Sequence, residues 1–252
     1  MRIFLHQLRG EQRLFWRSHE LAFFTFLFPV LIFVLLGSVY GDDRIKSEHN
    51  VKSSAYLLAG ILGYGAAATA FAGLSIVLVI RREGGILKRL RATPLPAPVY
   101  VLGVLGSTVI VYAIESAALI VLGRAMFGVA FPDQWLSLVL ALLLGTLAFA
   151  ALGIALTGFI RSGDGSSAVV NAIYLPMAFL SGSFWSPHAY PRFLEVIADI
   201  LPLTYFIRLM RDVALRDETI WSDWREALVV AAWGLGGLVI AARSFRWEPR
   251  ER

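Results

Sequence analysis

Long uncharged stretches separated by short charged ones set the reading of this chain. Residues 21–41, 53–80 and 134–160 contain no Asp, Glu, Lys or Arg. Residues 92–123 contain one, Glu115, and residues 165–187 again contain none. A helix of about 18 or more such residues matches the ~30 Å hydrocarbon core of a bilayer, so five membrane-spanning helices are expected. A sixth stretch, 227–242, has 16 uncharged residues, or about 24 Å of helix. It spans if Arg225 and Arg243 snorkel outward and Trp221 and Trp224 lie at the interface. The expected fold is an all-α integral membrane domain over 1–252 with six transmembrane helices. The first stretch is not expected to be a cleaved signal, because its apolar run is too long and its charged leader holds twenty residues.

The segments between these stretches carry patterns of their own. Residues 1–20 mix Ile3, Phe4, Leu8, Phe15 and Trp16 with four Arg; they form either a helix lying in the membrane interface or a charged leader to the first span. Pro29 is expected to kink that span. In 53–80, Ala59, Gly63 and Ala67 recur every four residues, as do Gly65, Thr69 and Gly73. Such rows let helices approach closely, within the chain or across a subunit interface. Residues 188–218 predict two amphipathic helices that dip into or rest on the outer interface. The first sets Phe193, Ile197, Ile200 and Leu201 against Arg192, Glu195 and Asp199. The second sets Ile207, Met210 and Val213 against Arg208, Arg211 and Asp212, with Arg208 and Asp212 spaced for an i, i+4 pair. No internal repeat is evident, which counts against an inverted-repeat transporter.

One segment departs from this alternation. "RREGGILKRLRATPLPAP", 81–98, packs five cations and one Glu between two apolar runs. Over 83–91 a helix places Ile86, Leu87 and Leu90 on one face and Lys88, Arg89 and Arg91 on the other. Glu83 near its start and cations near its end suit the helix dipole. Thr93 before Pro94 ends it, and Pro94, Pro96 and Pro98 give a stiff exit. A loop that only sets topology needs the charges but neither the stripe nor the prolines, so the pattern predicts a helix docked against another protein.

Composition and charge narrow the class. The chain is 58% hydrophobic and 16% charged, with mean hydropathy +0.69, against about a quarter charged in soluble domains. The net charge of +5 reads as cytoplasmic loops meeting anionic lipid rather than as a nucleic-acid surface. With the N-terminus inside, 14 of the 23 Lys and Arg fall on the inner segments. The expected location is therefore the cell membrane, multi-pass, with both termini cytoplasmic. The four His (His6, His19, His49, His188) all lie outside the apolar stretches, and Asp164 has no intramembrane carboxylate partner. That argues against intramembrane zinc, serine and aspartyl hydrolases. No G-x-x-x-x-G-K-[ST] occurs; "GRAMFGVA" at 123–130 has the glycine spacing without the Lys. Cysteine is absent, which removes disulfide and thiolate chemistry. No metal or cofactor is expected on this chain.

Two blocks resemble the membrane subunits of type-2 ABC exporters. "RREGGILKRLRATPLP" is similar to their cytoplasmic acidic-x-Gly-x-Leu-Lys-x-Leu-Arg-x-Thr-Pro segment. Asn171, Pro176, "LSGSFW" at 180–185, Pro187, Pro191, "LPLTY" at 201–205 and Arg211 are similar to their fifth span, its exit and the turn beyond. Leu201 stands where Asn is usual, and Trp185 sits beside the exit. The resemblance implies a coupling helix over 83–94, made of Glu83, Gly84, Ile86, Leu87, Lys88, Arg89, Leu90, Arg91, Thr93 and Pro94. It would be seated on a separate ATP-binding subunit, present in two copies, that handles ATP and Mg. It also implies a second membrane subunit, identical or paralogous. The expected activity is not enzymatic: export of a hydrophobic or amphipathic small molecule such as a drug, natural product or lipid.

Candidate substrate contacts are fewer. Glu115 is the one intramembrane acid, able to meet a cationic amphiphile or to hydrogen-bond a Ser or Thr of a neighbouring helix. Phe179, Phe184 and Trp185 either line an exit or form an aromatic belt. Asn171 either bonds another helix or touches substrate. Rivals are a lipid-linked glycan as cargo, for which no long aromatic ladder is visible in the sequence, a self-sufficient channel or secondary transporter, and a scaffold without transport.

Overall fold

The computed structural model describes residues 1–41, 43–45, 51–185 and 190–248. Pro187, His49 and His188, invoked above, lie outside the described residues. α1 (Arg2–Arg17) breaks at Ser18 and is followed at once by α2 (His19–Tyr40), which runs through Pro29. Two two-residue strands, β1 (Arg44–Ile45) and β2 (Val51–Lys52), pair antiparallel beyond it. α3 (Ser53–Ala66), a π-helical segment (Ala67–Gly73) and α4 (Leu74–Glu83) then form one continuous helical rod. α5 (Ile86–Arg91) is short, and α6 (Ala97–Phe127), α7 (Trp135–Thr157), α8 (Ser166–Leu180), α9 (Arg192–Ala198), α10 (Pro202–Leu215) and α11 (Trp224–Ser244) complete the chain.

Five helical stretches are long and apolar enough to cross a membrane: His19–Tyr40, Ser53–Glu83, Ala97–Phe127, Trp135–Thr157 and Trp224–Ser244. The protein is thus a predominantly helical, multi-pass membrane protein. The last stretch, the weakest by sequence, is a helix of 21 residues, because Arg225, Glu226 and Arg243 lie within its terminal turns. The stretch at 165–187 is helical for only 15 residues. It stops at Ser181, and Gly182 takes φ 82°, a left-handed conformation that glycine adopts readily.

The second amphipathic helix is placed differently from expectation. α10 does not rest on a surface. Leu203, Phe206, Ile207, Leu209, Met210 and Val213 are all fully buried. A Cβ on Gly63 of α3 would lie 2.4 Å from Ile207, and one on Gly145 of α7 would lie 2.3 Å from the Phe206 ring. Side-chain-free backbone on both flanks lets α10 wedge between α3 and α7, so the small-residue row of α3 is used inside the chain. The Arg208–Asp212 pair is replaced by Arg208–Asp199 and by Asp212–Arg216, since burial of one α10 face turns Asp212 toward the next turn. Of the two amphipathic helices, only α9 keeps an exposed apolar face, with Phe193, Val196 and Ile197.

The basic segments converge on one end of the bundle. Arg81 on α4 pairs with Glu11 of α1 at 2.8 Å, and Arg91 lies 3.7 Å from Glu248. Trp247 packs on Tyr100 at 5.7 Å, and Ser244 lies against Gly158 just past α7. Both described ends of the chain therefore share this basic end with α5.

Candidate functional site

α5 is a separate element, shorter than the sequence indicates. Gly85 adopts φ 70° and caps α5, while Gly84 ends α4. The helix thus begins at Ile86, and Glu83 belongs to the last turn of α4. Glu83 stands at a helix C-terminus and bonds Arg82, which corrects the dipole argument made for it. Arg91 is the last helical residue, and Thr93 Oγ1 donates to Leu90 O at 2.6 Å, closing the end before Pro94. The apolar stripe is split. Leu87 is fully buried against its own chain and Leu90 is half-buried, while Ile86 is 45% exposed. Lys88, Arg89 and Arg91 are exposed, as are Gly84, Thr93 and Pro94. Leu87 therefore fastens α5 to the protein, and the free surface consists of Ile86 and cations.

The end of α4 holds the least exposed cation among the described residues. Arg82, only 2% exposed, donates from Nε to Glu83 Oε1 at 2.8 Å, from Nη1 to Thr157 O at 2.7 Å and from Nη2 to Ile160 O at 2.6 Å. Next to it, Arg81 Nη1 donates to Tyr100 OH at 3.2 Å, and Gln7 Nε2 donates to Glu11 Oε1 at 2.8 Å. Neither Arg82 nor the Glu11–Arg81–Tyr100 cluster stood out by sequence. Both cations read there as topology markers, and the partners lie far along the chain.

A cavity of about 690 Å³ opens between α1–α2 and the facing α4, α6 and α8. Glu11 and Arg81 line its basic end, and the rest is mainly apolar, with Phe28, Tyr64 and Tyr174 farther along. Of the five residues expected on a substrate path, Asn171 lines it. Glu115 does not. Its carboxylate is buried behind the wall, accepting a hydrogen bond from Thr69 Oγ1 at 2.8 Å and lying against Gly65. The hydroxyl bond across helices is the arrangement found, and Thr69, not Glu115, reaches the cavity.

Phe179, Phe184 and Trp185 extend that wall as a ring cluster. Tyr64 lies 6.2 Å from Phe28, 5.5 Å from Tyr174 and 5.4 Å from Phe184. Phe184 in turn meets Phe179 at 5.4 Å and Trp185 at 5.8 Å. No such run was visible in the sequence, because its members come from three helices and a turn and no spacing along the chain reveals it.

Comparison with known proteins agrees with the helical, multi-pass layout. Residues 4–215 match the model of the family described as "ABC-2 type transporter". The chain belongs to the ABC-2 type transporter family. Among relatives of this ABC-2 member, YvfS of Bacillus subtilis, named as a transport permease, is 23% identical over 212 residues, covering 82% of this chain and 83% of that protein. The inner membrane transport permease YadH of Escherichia coli is 23% identical over 178 residues, 70% of this chain and 68% of its own. A transport permease of Porphyra purpurea, ycf38, is 25% identical over 232 residues, 88% and 77%. The ABC-2 match takes in α5, the cavity and all of α10, since it runs from Phe4 to Leu215.

Proposed function

We propose that this ABC-2 chain is the permease subunit of an ATP-driven exporter, moved by a separate ATP-binding subunit that docks on α5. The observation carrying this reading is the division of labour on α5. Leu87 secures the helix to its own chain, while Ile86, Lys88, Arg89 and Arg91 are left on an exposed surface at the basic end. A small apolar knob ringed by cations suits a grooved, acidic partner, with the knob giving hold and the charges giving orientation. ATP and Mg belong to that partner. The assembly contains two copies of it and a second membrane subunit, identical or paralogous. The basic end faces the cytoplasm. α8 with the turn at 181–185 supplies the sixth crossing, which brings both termini to that side.

The cargo is a hydrophobic or amphipathic small molecule. Support comes from the apolar cavity with its polar Glu11–Arg81 end, which fits an elongated body with a polar head. The aromatic run from Phe28 to Trp185 favours a second reading, a lipid-linked glycan, because sugars stack on aromatic faces.

Affinity purification from native membranes tests the proposal. A Walker-motif ATPase should co-elute, and Ile86→Asp should lower its recovery by about tenfold, the scale of losing a central apolar anchor, while leaving membrane insertion intact. A chain that purifies alone and drives flux on an ion gradient would refute it.

A further inference from the structure

We infer that Arg82 is the positioning residue through which movement of α5 reaches α7, so that α4 and the adjoining end of α7 move as one body. This rests on the reading of α5 as the seat of an ATP-binding subunit. A guanidinium taken out of water is tolerated only where its donors are met. Arg82 meets them with Glu83 and with the carbonyls of Thr157 and Ile160. Those carbonyls belong to the last turn of α7 and the turn beyond it, where a helix lacks intrahelical partners and carries its negative pole. The cation therefore serves as the C-terminal cap of a different helix.

A second tie lies two turns away. Ser75 Oγ donates to Gly153 O of α7 at 2.9 Å. Between the two ties, Leu78 and Val79 are buried. α4 is thus fastened to α7 at both ends, and the regular α-helix ends just outside the ties. On one side is the π-helical stretch Ala67–Gly73, whose Thr69 is held by Glu115 of α6. On the other is the Gly84–Gly85 corner. A π-helix is rare and occurs frequently at functional sites, and this one interrupts the regular α-helix between α3 and α4, which makes that stretch the pivot and α6 its fixed side.

The chain has no cysteine, so spin labels can be placed without background. In the reconstituted complex with the ATP-binding subunit, labels at Ile80→Cys and Phe159→Cys, both exposed, should keep one separation with and without trapped ATP. Labels at Ile80→Cys and Val121→Cys on α6 should change theirs. Arg82→Gln should make the 80–159 separation nucleotide-dependent and lower cargo moved per ATP by at least about tenfold, the scale of one hydrogen bond to a charged group. Arg82→Lys, which still reaches one carbonyl, should fall between. A nucleotide-dependent 80–159 separation with Arg82 in place, or an unchanged cargo-to-ATP ratio in Arg82→Gln, overturns this inference while the docking on α5 stands. Should Arg82→Gln fail to insert, the label pairs with Arg82 in place decide. If no ATPase assembles or no pair responds to ATP, the docking reading falls and takes this inference with it.

Discussion

Glu115 illustrates how a charge-bearing residue in a membrane stretch acquires its role from neighbours. With Thr69 as donor and Gly65 against its other oxygen, it holds α3 and the π-helical segment to α6. A Cβ at Gly65 would lie 2.5 Å from that oxygen. Gly65→Ala should therefore displace the carboxylate and lower the thermal midpoint of detergent-solubilised protein by several degrees, the shift that about 1–3 kcal/mol of overpacking produces. An unchanged midpoint would mean the carboxylate has room to move. A second residue-scale test lies outside the spans. Asp223 precedes α11, and its pKa is raised to about 6, first by burial and then by Asp212, Glu218 and Glu226. An acid whose folded pKa exceeds its unfolded value stabilises the fold while protonated, and that contribution fades as pH rises from about 4 through 6. Asp223→Asn should flatten this decline and raise the midpoint at pH 7.5, as thermal scans across pH 4–8 would record.

α10 carries the lesson at the scale of elements. Its stripe of Ile207, Met210 and Val213 and its charged residues are those of an interfacial helix, yet it is wedged into the core. Arg211, only 8% exposed, sits 3.6 Å from the centroid of the Tyr56 ring and bonds Gly182 O. The helix thus anchors the turn that follows α8, and Ser183 O presses on Gly60 from the other side. Arg211→Ala should free the 181–185 turn, giving faster amide exchange at Gly182 and Ser183 with little change in α7. Equal exchange before and after would show that backbone packing alone holds the turn.

For the whole molecule, the convergence of basic segments gives a topology test. Ala92→Cys beside α5 and Leu136→Cys at the start of α7 are exposed and lie at opposite ends of the bundle. A membrane-impermeant maleimide applied to intact cells should label Leu136→Cys and leave Ala92→Cys unlabelled until the membrane is permeabilised. The reverse pattern would place α5 outside and remove any route to an ATP-binding partner. Much of this layout is legible along the chain, since five long helices and the basic segment at 81–98, a handle for a partner, follow from runs and charges. The split of the handle's stripe was not legible. Leu87 and Ile86 are adjacent and equally apolar, and only the corner at Gly84–Gly85 decides which of them is buried.

Apolar run length, the sites of Lys and Arg, and proline and glycine punctuation are local properties, so the sequence alone determined a multi-pass helical membrane protein with a short basic helix somewhere within 83–94, whose start at Ile86 only the structure fixed. Which polar groups meet is a matter of contacts between residues far apart, such as Arg82 with Thr157 or Thr69 with Glu115. Those partners were chosen by tertiary structure, because a buried donor must find an acceptor wherever packing brings one within reach. The aromatic run and the cavity beneath α1 were likewise decided by packing between distant segments, and the burial of α10 by close approach at Gly63 and Gly145, which no local pattern assigns to a partner.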